Sequence, residues 1–244
     1  MIDAVFISDL HLSPSEPEIK ERFNGFIAWA ESKVKSIYIL GDFFHAWAGD
    51  DSLDDWSLGI ANQLKSLVDK GINIYFMAGN RDFLLGERFA KLSGWRVLQE
   101  PTKIQLHDRP VLLVHGDRYC TKDIAHQRFR KLTRNRFFSC LFLALPLSMR
   151  LKLVEKIRKN SSSKRYLSSE QIDVVTDQVT KHLKSYNVNS VIHGHTHKSG
   201  EHTLHLSENE GKRYVLSDWD DNPTLLCYDI TKGFYFAHVN LYHY

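Results

Sequence analysis

Cysteine is scarce in this chain of 244 residues: there are three, Cys120, Cys140 and Cys227, scattered and odd in number. They make no disulfide framework, and a reducing cytoplasm is the compartment that suits them. Long apolar runs are missing too. Phe137 to Leu145 is almost wholly apolar, but it is far too short to span a bilayer and Pro146 follows at once. The opening Met1-Ile2-Asp3-Ala4-Val5 lacks the basic region and apolar stretch of a secretory leader, so export is not expected. No internal repeat is visible, and no low-complexity tract beyond Ser161-Ser162-Ser163. Acidic residues are nearly absent from one segment. Arg118 to Arg165 holds fourteen Lys or Arg against Asp123 and Glu155 alone, a net of +12. The remainder carries eighteen basic and twenty-seven acidic residues, a net of −9. Such a split suggests an insert with its own anionic partner.

What is present is ordinary globular material. A hydrophobic share of 43% with 25% charged, over this length, allows one domain, 1–244, with a sizeable core. Short β-branched or aromatic runs read as buried strands: Ala4 to Ile7, Ile37 to Leu40, Ile72 to Met77, Val111 to Val114 and Val191-Ile192. Between the first three lie helical patterns, Ile19 to Ser32 and Trp56 to Asp69, with apolar residues at spacings of three and four. The alternation predicts an α/β sheet with helices on its faces. After Gly200 the pattern becomes successive strands, at Thr203 to Leu206, Arg213 to Leu216, Thr224 to Tyr228 and Phe234 to Val239, read as a second sheet packed on the first. Residues 118–186 read as a helical insert, with helices Ile124 to Thr133, Arg136 to Leu145, Leu147 to Arg158 and Ser168 to Tyr186. In the third of these, Leu147, Leu151, Val154 and Ile157 form an apolar stripe beside Arg150, Lys152, Lys156 and Arg158, an amphipathic basic helix.

Each predicted strand of the first five ends in a polar motif. They are Asp9-Leu10-His11, Gly41-Asp42, Gly79-Asn80-Arg81-Asp82, His115-Gly116-Asp117 and Gly194-His195-Thr196-His197. Functional groups at strand ends fit the rule that such sheets bind ligands there. Together the motifs offer seven metal-binding side chains: Asp9, His11, Asp42, Asn80, His115, His195 and His197. That is too many for one tetrahedral zinc and suits two adjacent ions sharing a carboxylate. The mixed oxygen and nitrogen donors fit Mn²⁺, Fe²⁺ or Zn²⁺ better than Ca²⁺ or Mg²⁺ alone. Two close ions suit in-line attack of an activated water on phosphorus. The glycines at 41, 79, 116 and 194 are read as sharp turns beside the ions. Taken singly, an Asp-x-His pair or a Gly-Asp pair is an ordinary turn feature. Two imidazoles two residues apart are more specific, and the ordered set of five is what carries the metal reading.

This ordered set resembles the calcineurin-like metallophosphoesterases, over the whole chain except much of the helical insert. The resemblance implies an αββα sandwich carrying the helical insert as a cap. It implies one metal on Asp9, His11, Asp42 and His197, and another on Asp42, Asn80, His115 and His195, with Asp42 bridging. Asp42, Asn80 and His195 are then the candidate catalytic residues. Most members carry histidine after the Gly-Asn pair, a proton donor to the leaving group; here Arg81 stands there. Arginine stays charged near neutral pH but can clamp a phosphate oxygen. A leaving group that needs little protonation is therefore expected, such as one phosphate of a pyrophosphate.

Closer resemblance is to the branch that hydrolyses UDP-2,3-diacylglucosamine in lipid A synthesis. It is carried by Phe6 to Leu12, Tyr38 to Phe44, Trp47 with Gly49-Asp50-Asp51, Gly79 to Leu84 followed by Gly86-Glu87-Arg88-Phe89, His115-Gly116-Asp117 with Cys120, Leu143 to Leu147 and His193 to His197. The resemblance implies two Mn²⁺ ions, water attack on the α-phosphorus, and release of UMP and 2,3-diacylglucosamine 1-phosphate. It implies a cytoplasmic protein attached peripherally to the inner membrane. By position Asn80, Arg81, Asp123, Ser161 and His195 match the branch's substrate contacts. Arg165 and Ser168 stand where it commonly has Asn and Lys, and Lys164 or Arg165 is a replacement for the lost cation. His45 stands where relatives often have an acid. The greasy run and the stripe of the basic helix offer an apolar site for acyl chains and a seat on an anionic membrane surface; the plainer reading is a hairpin packed on itself with a solvated charged face. The alternatives are another dimetal phosphoesterase, for dinucleoside polyphosphates or nucleic acid, or a binding scaffold without chemistry. Water-soluble substrates need no greasy helices, so no nucleic-acid partner is expected, and none of the expected ligands is lost.

Overall fold

The structure, a computed structural model, describes residues 1–163, 173–206 and 210–242, with the side chains of 160–163 outside the description. The first sheet contains β1 (Ala4–Ile7), β2 (Ser36–Ile39), β3 (Asn73–Met77) and β4 (Arg96–Leu98), parallel and in that order. The second contains β5 (Thr102–Leu106), β6 (Arg109–Leu113), β7 (Ser190–His193), β9 (Glu210–Val215) and β8 (Gly200–His205), in that spatial order. Within it β6, β7 and β9 are parallel, and β5 and β8 flank them antiparallel. The remaining strands, β10 (Thr224–Asp229) and β11 (Gly233–His238), do not join the second sheet. They extend the first, antiparallel, from the open edge of β1.

Side-chain alternation along the strands builds the layers. Val5 and Ile7 of β1 point with Ile37, Ile39, Ile74 and Phe76 toward α1 (Pro17–Lys33) and α2 (Asp55–Asp69), in one buried cluster. Ala4 and Phe6 point the other way and meet Val111, Leu113, Ile192 and Tyr214 of the second sheet. Leu112 and Val191 on that sheet's outer face meet Val179 and Leu183 of a later helix, Thr176–Tyr186. The order of layers is thus helix, sheet, sheet, helix. Asp54 caps α2 by accepting Ser57 N–H at 2.8 Å, with the Ser57 hydroxyl returning the bond; such a cap is worth about 1 kcal/mol. Phe26 on α1 is fully buried, and its truncation to Ala would cost about 3–5 kcal/mol.

Between β3 and β4 lies α3 (Glu87–Ser93), and between β6 and β7 lie α4 (Ile124–Thr133), α5 (Arg136–Leu143), α6 (Leu147–Ser163) and α7 (Thr176–Tyr186). Two sequence expectations change, and three elements are new. The strands after Gly200 divide between the sheets, because β10 alternates Leu225 and Cys227 against Leu226 and Tyr228, apolar on both faces, and so fits beside β1 in the buried sheet. The elements α3, β4 and β5 had no reading in the sequence. Arg150 does not lie on a solvated basic face. It is 2% exposed and donates to the Ala48 and Leu145 carbonyls and to Asp51, docking α6 on the loop after β2.

Candidate metal centre

The five motifs occupy the strand ends of both sheets, and the fold brings all seven expected ligands together. Asp9, His11 and His197 form one group whose ligand atoms lie within 4.8 Å of one another, and Asp42, His115 and His195 form a second. Asn80 joins the latter, its Oδ1 3.0 Å from His115 Nε2. Asp42 stands between the groups: Oδ2 faces His11 Nε2 at 3.5 Å and Oδ1 faces His115 Nε2 at 3.7 Å.

The backbone here is unusual. Asp9, His11, Asp42, His195 and His197 hold φ between 52° and 70°, the left-handed region that residues with a Cβ avoid. Each such residue costs roughly 1–3 kcal/mol and persists only where surrounding structure compels it. The glycines divide into two kinds. Gly41 and Gly116 do hold positive φ, as expected for turns. Gly79 and Gly194 do not; a Cβ on Gly79 would collide with the carboxylate and backbone nitrogen of Asp42, and one on Gly194 with Asp9 and Ser8. Their role is close approach to a carboxylate, which corrects the reading of all four as turns.

Several unforeseen groups hold the ligands in place. Ser8 Oγ donates to Asp9 Oδ2 at 2.5 Å, and the His195 N–H donates to the same oxygen at 2.8 Å. Asp82 accepts the Phe43 and Gly79 N–H groups at 2.7 and 2.8 Å, joining two motif loops. His115 Nδ1 donates to the Leu40 carbonyl at 2.9 Å, and His197 Nδ1 lies 3.0 Å from Asp218 Oδ2. Both contacts turn Nε2 toward the centre, the arrangement by which a metal-binding histidine is oriented. Glu100 accepts the His115 N–H at 3.1 Å and Arg130 at 2.9 Å, while Arg130 Nε also reaches Asp117 at 3.0 Å. Asp82 and Asp117 carried a signal, since they sit inside the motifs. Asp218, Glu100 and Arg130 carried none.

The electrostatics call for cations. Burial opposes ionisation of Asp42, but His115, His11 and Arg81 outweigh it and hold the carboxyl well below its usual range. Burial likewise opposes a charge on His115, yet Asp42, Asp117 and Asp9 raise it to about 9. Burial, then His115 and His126, hold His195 down to about 3, a neutral donor. Asp9 Oδ1 and His11 Nε2 are buried with no hydrogen-bond partner among the described residues. Buried orphan donors of this kind facing two ionised carboxylates fit metal ions.

The expected substrate contacts fall differently. Arg81 Nε lies 3.3 Å from Asp42 Oδ2, and its guanidinium is 3.4 Å from His45 Nδ1. Burial, then Arg81, holds His45 down to about 4, so this imidazole is neutral. Asp123 caps α4 by accepting the His126 N–H at 2.9 Å, and the His126 ring lies 5.0 Å from that of His195. Lys164, Arg165 and Ser168, and the side chain of Ser161, lie outside the description. Beside Arg81 opens an apolar crevice walled by Trp47, Phe129, Phe138, Phe142 and Ile157, with Arg158 at its lining. Its open volume is ≈ 30 Å³, room for about one water.

Comparison with known proteins agrees with this geometry. The Calcineurin-like phosphoesterase family profile matches residues 3–199. A Pseudomonas aeruginosa protein named UDP-2,3-diacylglucosamine hydrolase is 41% identical over 220 residues, covering 90% of this chain and 92% of that protein. One of the same name from Coxiella burnetii is 43% identical over 229 residues, covering 93% and 94%. An archaeal phosphodiesterase structure shares the fold, at 13% identity and TM-score 0.50 over 97% of this chain and 99% of that one. The chain therefore belongs to the calcineurin-like phosphoesterase family, as a dimetal hydrolase of phosphorus compounds.

Proposed function

We propose that this chain hydrolyses the pyrophosphate bond of UDP-2,3-diacylglucosamine, releasing UMP and 2,3-diacylglucosamine 1-phosphate in lipid A synthesis. The observation that carries the reaction type is the placement of Asp42, with one carboxylate oxygen toward each group of ligands. Asp9, His11, Asp42 and His197 would hold one Mn²⁺, and Asp42, Asn80, His115 and His195 a second. The chemistry supplied by such a pair, when bound, would be activation of a water for attack on the α-phosphorus and polarisation of the phosphoryl oxygens. The chain's own groups do the rest. Asp218 and the Leu40 carbonyl orient imidazoles. Arg81, between the cradle and the crevice, grips a phosphate oxygen and donates no proton, which suits a phosphate leaving group. Asn80, Asp123 and His195, with Ser161, Lys164, Arg165 and Ser168, complete the substrate contacts.

The substrate reading is supported by the relatives' name and by the crevice. One side of it is built by α4, α5 and α6, facing Trp47, Arg81, Phe83 and Leu84, so residues 118–186 act as a cap inserted in a single catalytic domain. The crevice as it stands is too narrow for a whole acyl chain. The cap also offers a seat on an anionic bilayer: Phe137 is 82% and Leu141 72% exposed, among exposed Arg128, Lys131 and Arg136. No helix among the described residues is long and apolar enough to cross a membrane, and peripheral attachment at the cytoplasmic face of the inner membrane fits this surface. Purified protein with Mn²⁺ should release UMP from UDP-2,3-diacylglucosamine. No release at full dimetal occupancy, with turnover of a dinucleoside polyphosphate instead, overturns the reading.

A further inference from the structure

A second cleft, separate from the metal centre, lies between α4 and α7. Its walls include Arg118, Gln127, Arg130, Gln178, Lys181 and His182, none of the seven candidate ligands lines it, and its open volume is ≈ 330 Å³. The sequence builds it simply. On α7, Gln178, Lys181 and His182 share one face by their spacing of three and four, while Val179 and Leu183 on the other face are buried against the second sheet. On α4, Gln127 and Arg130 are likewise three apart. The cleft lining holds three cationic side chains and no carboxylate, in a protein whose charge outside the Arg118 to Arg165 segment is −9. Arg130 is paired with Asp117 and Glu100. Arg118 and Lys181 have no ion pair or side-chain hydrogen bond among the described residues.

His182 reports the same surplus of positive charge. The Tyr119 hydroxyl, held protonated by burial, shares a hydrogen bond with His182 Nδ1 at 2.8 Å. Burial, then Arg118 and Arg130, hold the imidazole down to about 4. The Arg118 guanidinium and the Lys181 ammonium, both on the lining of this recess beside the already paired Arg130, suit the several oxygens of one phosphate group better than a single carboxylate. The volume exceeds that of about ten waters at roughly 30 Å³ each, so the phosphate can carry an organic group.

We propose that this cleft binds a phosphate dianion, free or at the end of a phosphomonoester, independently of the metal centre and of which substrate that centre takes. Arg130 joins the two places, because Glu100, which accepts one of its N–H groups, also accepts the His115 backbone N–H. The test is calorimetric titration of the Mn²⁺-loaded protein with inorganic phosphate. Two classes of site are expected. Lys181→Glu, at an exposed position, should weaken one class at least tenfold and leave the other intact, and Arg118→Gln should act on the same class. Hydrolysis of a soluble chromogenic phosphodiester in phosphate-free buffer should be unchanged in Lys181→Glu. Asp42→Ala should remove the other class alone. A single class untouched by Lys181→Glu and Arg118→Gln, or loss of all phosphate binding in Asp42→Ala, overturns the proposal.

Discussion

Asp42 and Arg81 touch each other yet have different tasks, and their replacement separates them. Among the described residues Asp42 is the carboxylate that faces both groups of expected ligands, so Asp42→Ala removes a donor from each. Arg81→Ala removes the proposed phosphate clamp and leaves the seven expected ligands in place. Asp42→Ala should abolish hydrolysis and lower bound Mn²⁺, whereas Arg81→Ala should keep full metal and lose about 10²–10³-fold in rate, the scale for one lost donor to a developing charge. Rate assays with metal analysis check this; equal residual rates at full metal content in both would contradict the ranking. The seven expected ligands were legible as candidates residue by residue, because each is embedded in a short motif, and the fold brings them together. The residues that aim them were not. Asp218 reaches His197 across a chain separation that no local pattern encodes. The left-handed backbone at five of the seven ligands was equally invisible, since only glycine advertises positive φ in a sequence.

At the level of elements, Arg150 shows how a cap helix is docked. Its guanidinium is buried against the Ala48 carbonyl and Asp51. Arg150→Met keeps the volume but strands a buried carbonyl, which costs about 1–3 kcal/mol. The expected result is a lower denaturant midpoint together with faster proteolysis of α5 and α6; an unchanged proteolysis pattern would place the docking elsewhere. The helix α7 carries a pH-dependent contribution through His182. Its folded pKa of about 4 lies below its ordinary value of 6.5. Between those values the unfolded chain binds more protons than the folded one, so stability is fully present above about pH 6.5 and falls as pH drops toward 4. Melting temperatures from pH 7.5 to 4.5 should fall less steeply in His182→Gln than in the parent, and parallel curves would refute the assignment. Arg150 was misread because an arginine beside an apolar stripe has the same sequence pattern whether it faces water or a buried carbonyl.

For the whole molecule, the separation of charge and grease becomes a matter of where the cap points. Phe137, Leu141, Met149 and Leu151 are exposed together with Arg128, Arg136 and Lys152. Phe137→Glu with Leu141→Glu should reduce cosedimentation with anionic phosphatidylglycerol vesicles at least tenfold while leaving turnover of a soluble chromogenic phosphodiester unchanged. Equal vesicle binding by parent and variant would mean that this surface serves the acyl chains alone.

By itself the sequence determined the chemistry and the class of fold. Short apolar runs, helical spacings and five motifs at strand ends are local patterns, and local patterns specify strands, helices and turns. The tertiary structure alone decided which sheet each strand joins, that β10 and β11 cover the β1 edge, and that Asp42 stands between two groups of imidazoles. It also decided that Arg118 and Arg130 share one recess with Lys181, far from them in the chain. These are contacts between distant segments, settled by which apolar faces can be buried together, and burial is a property of the whole chain rather than of any stretch of it.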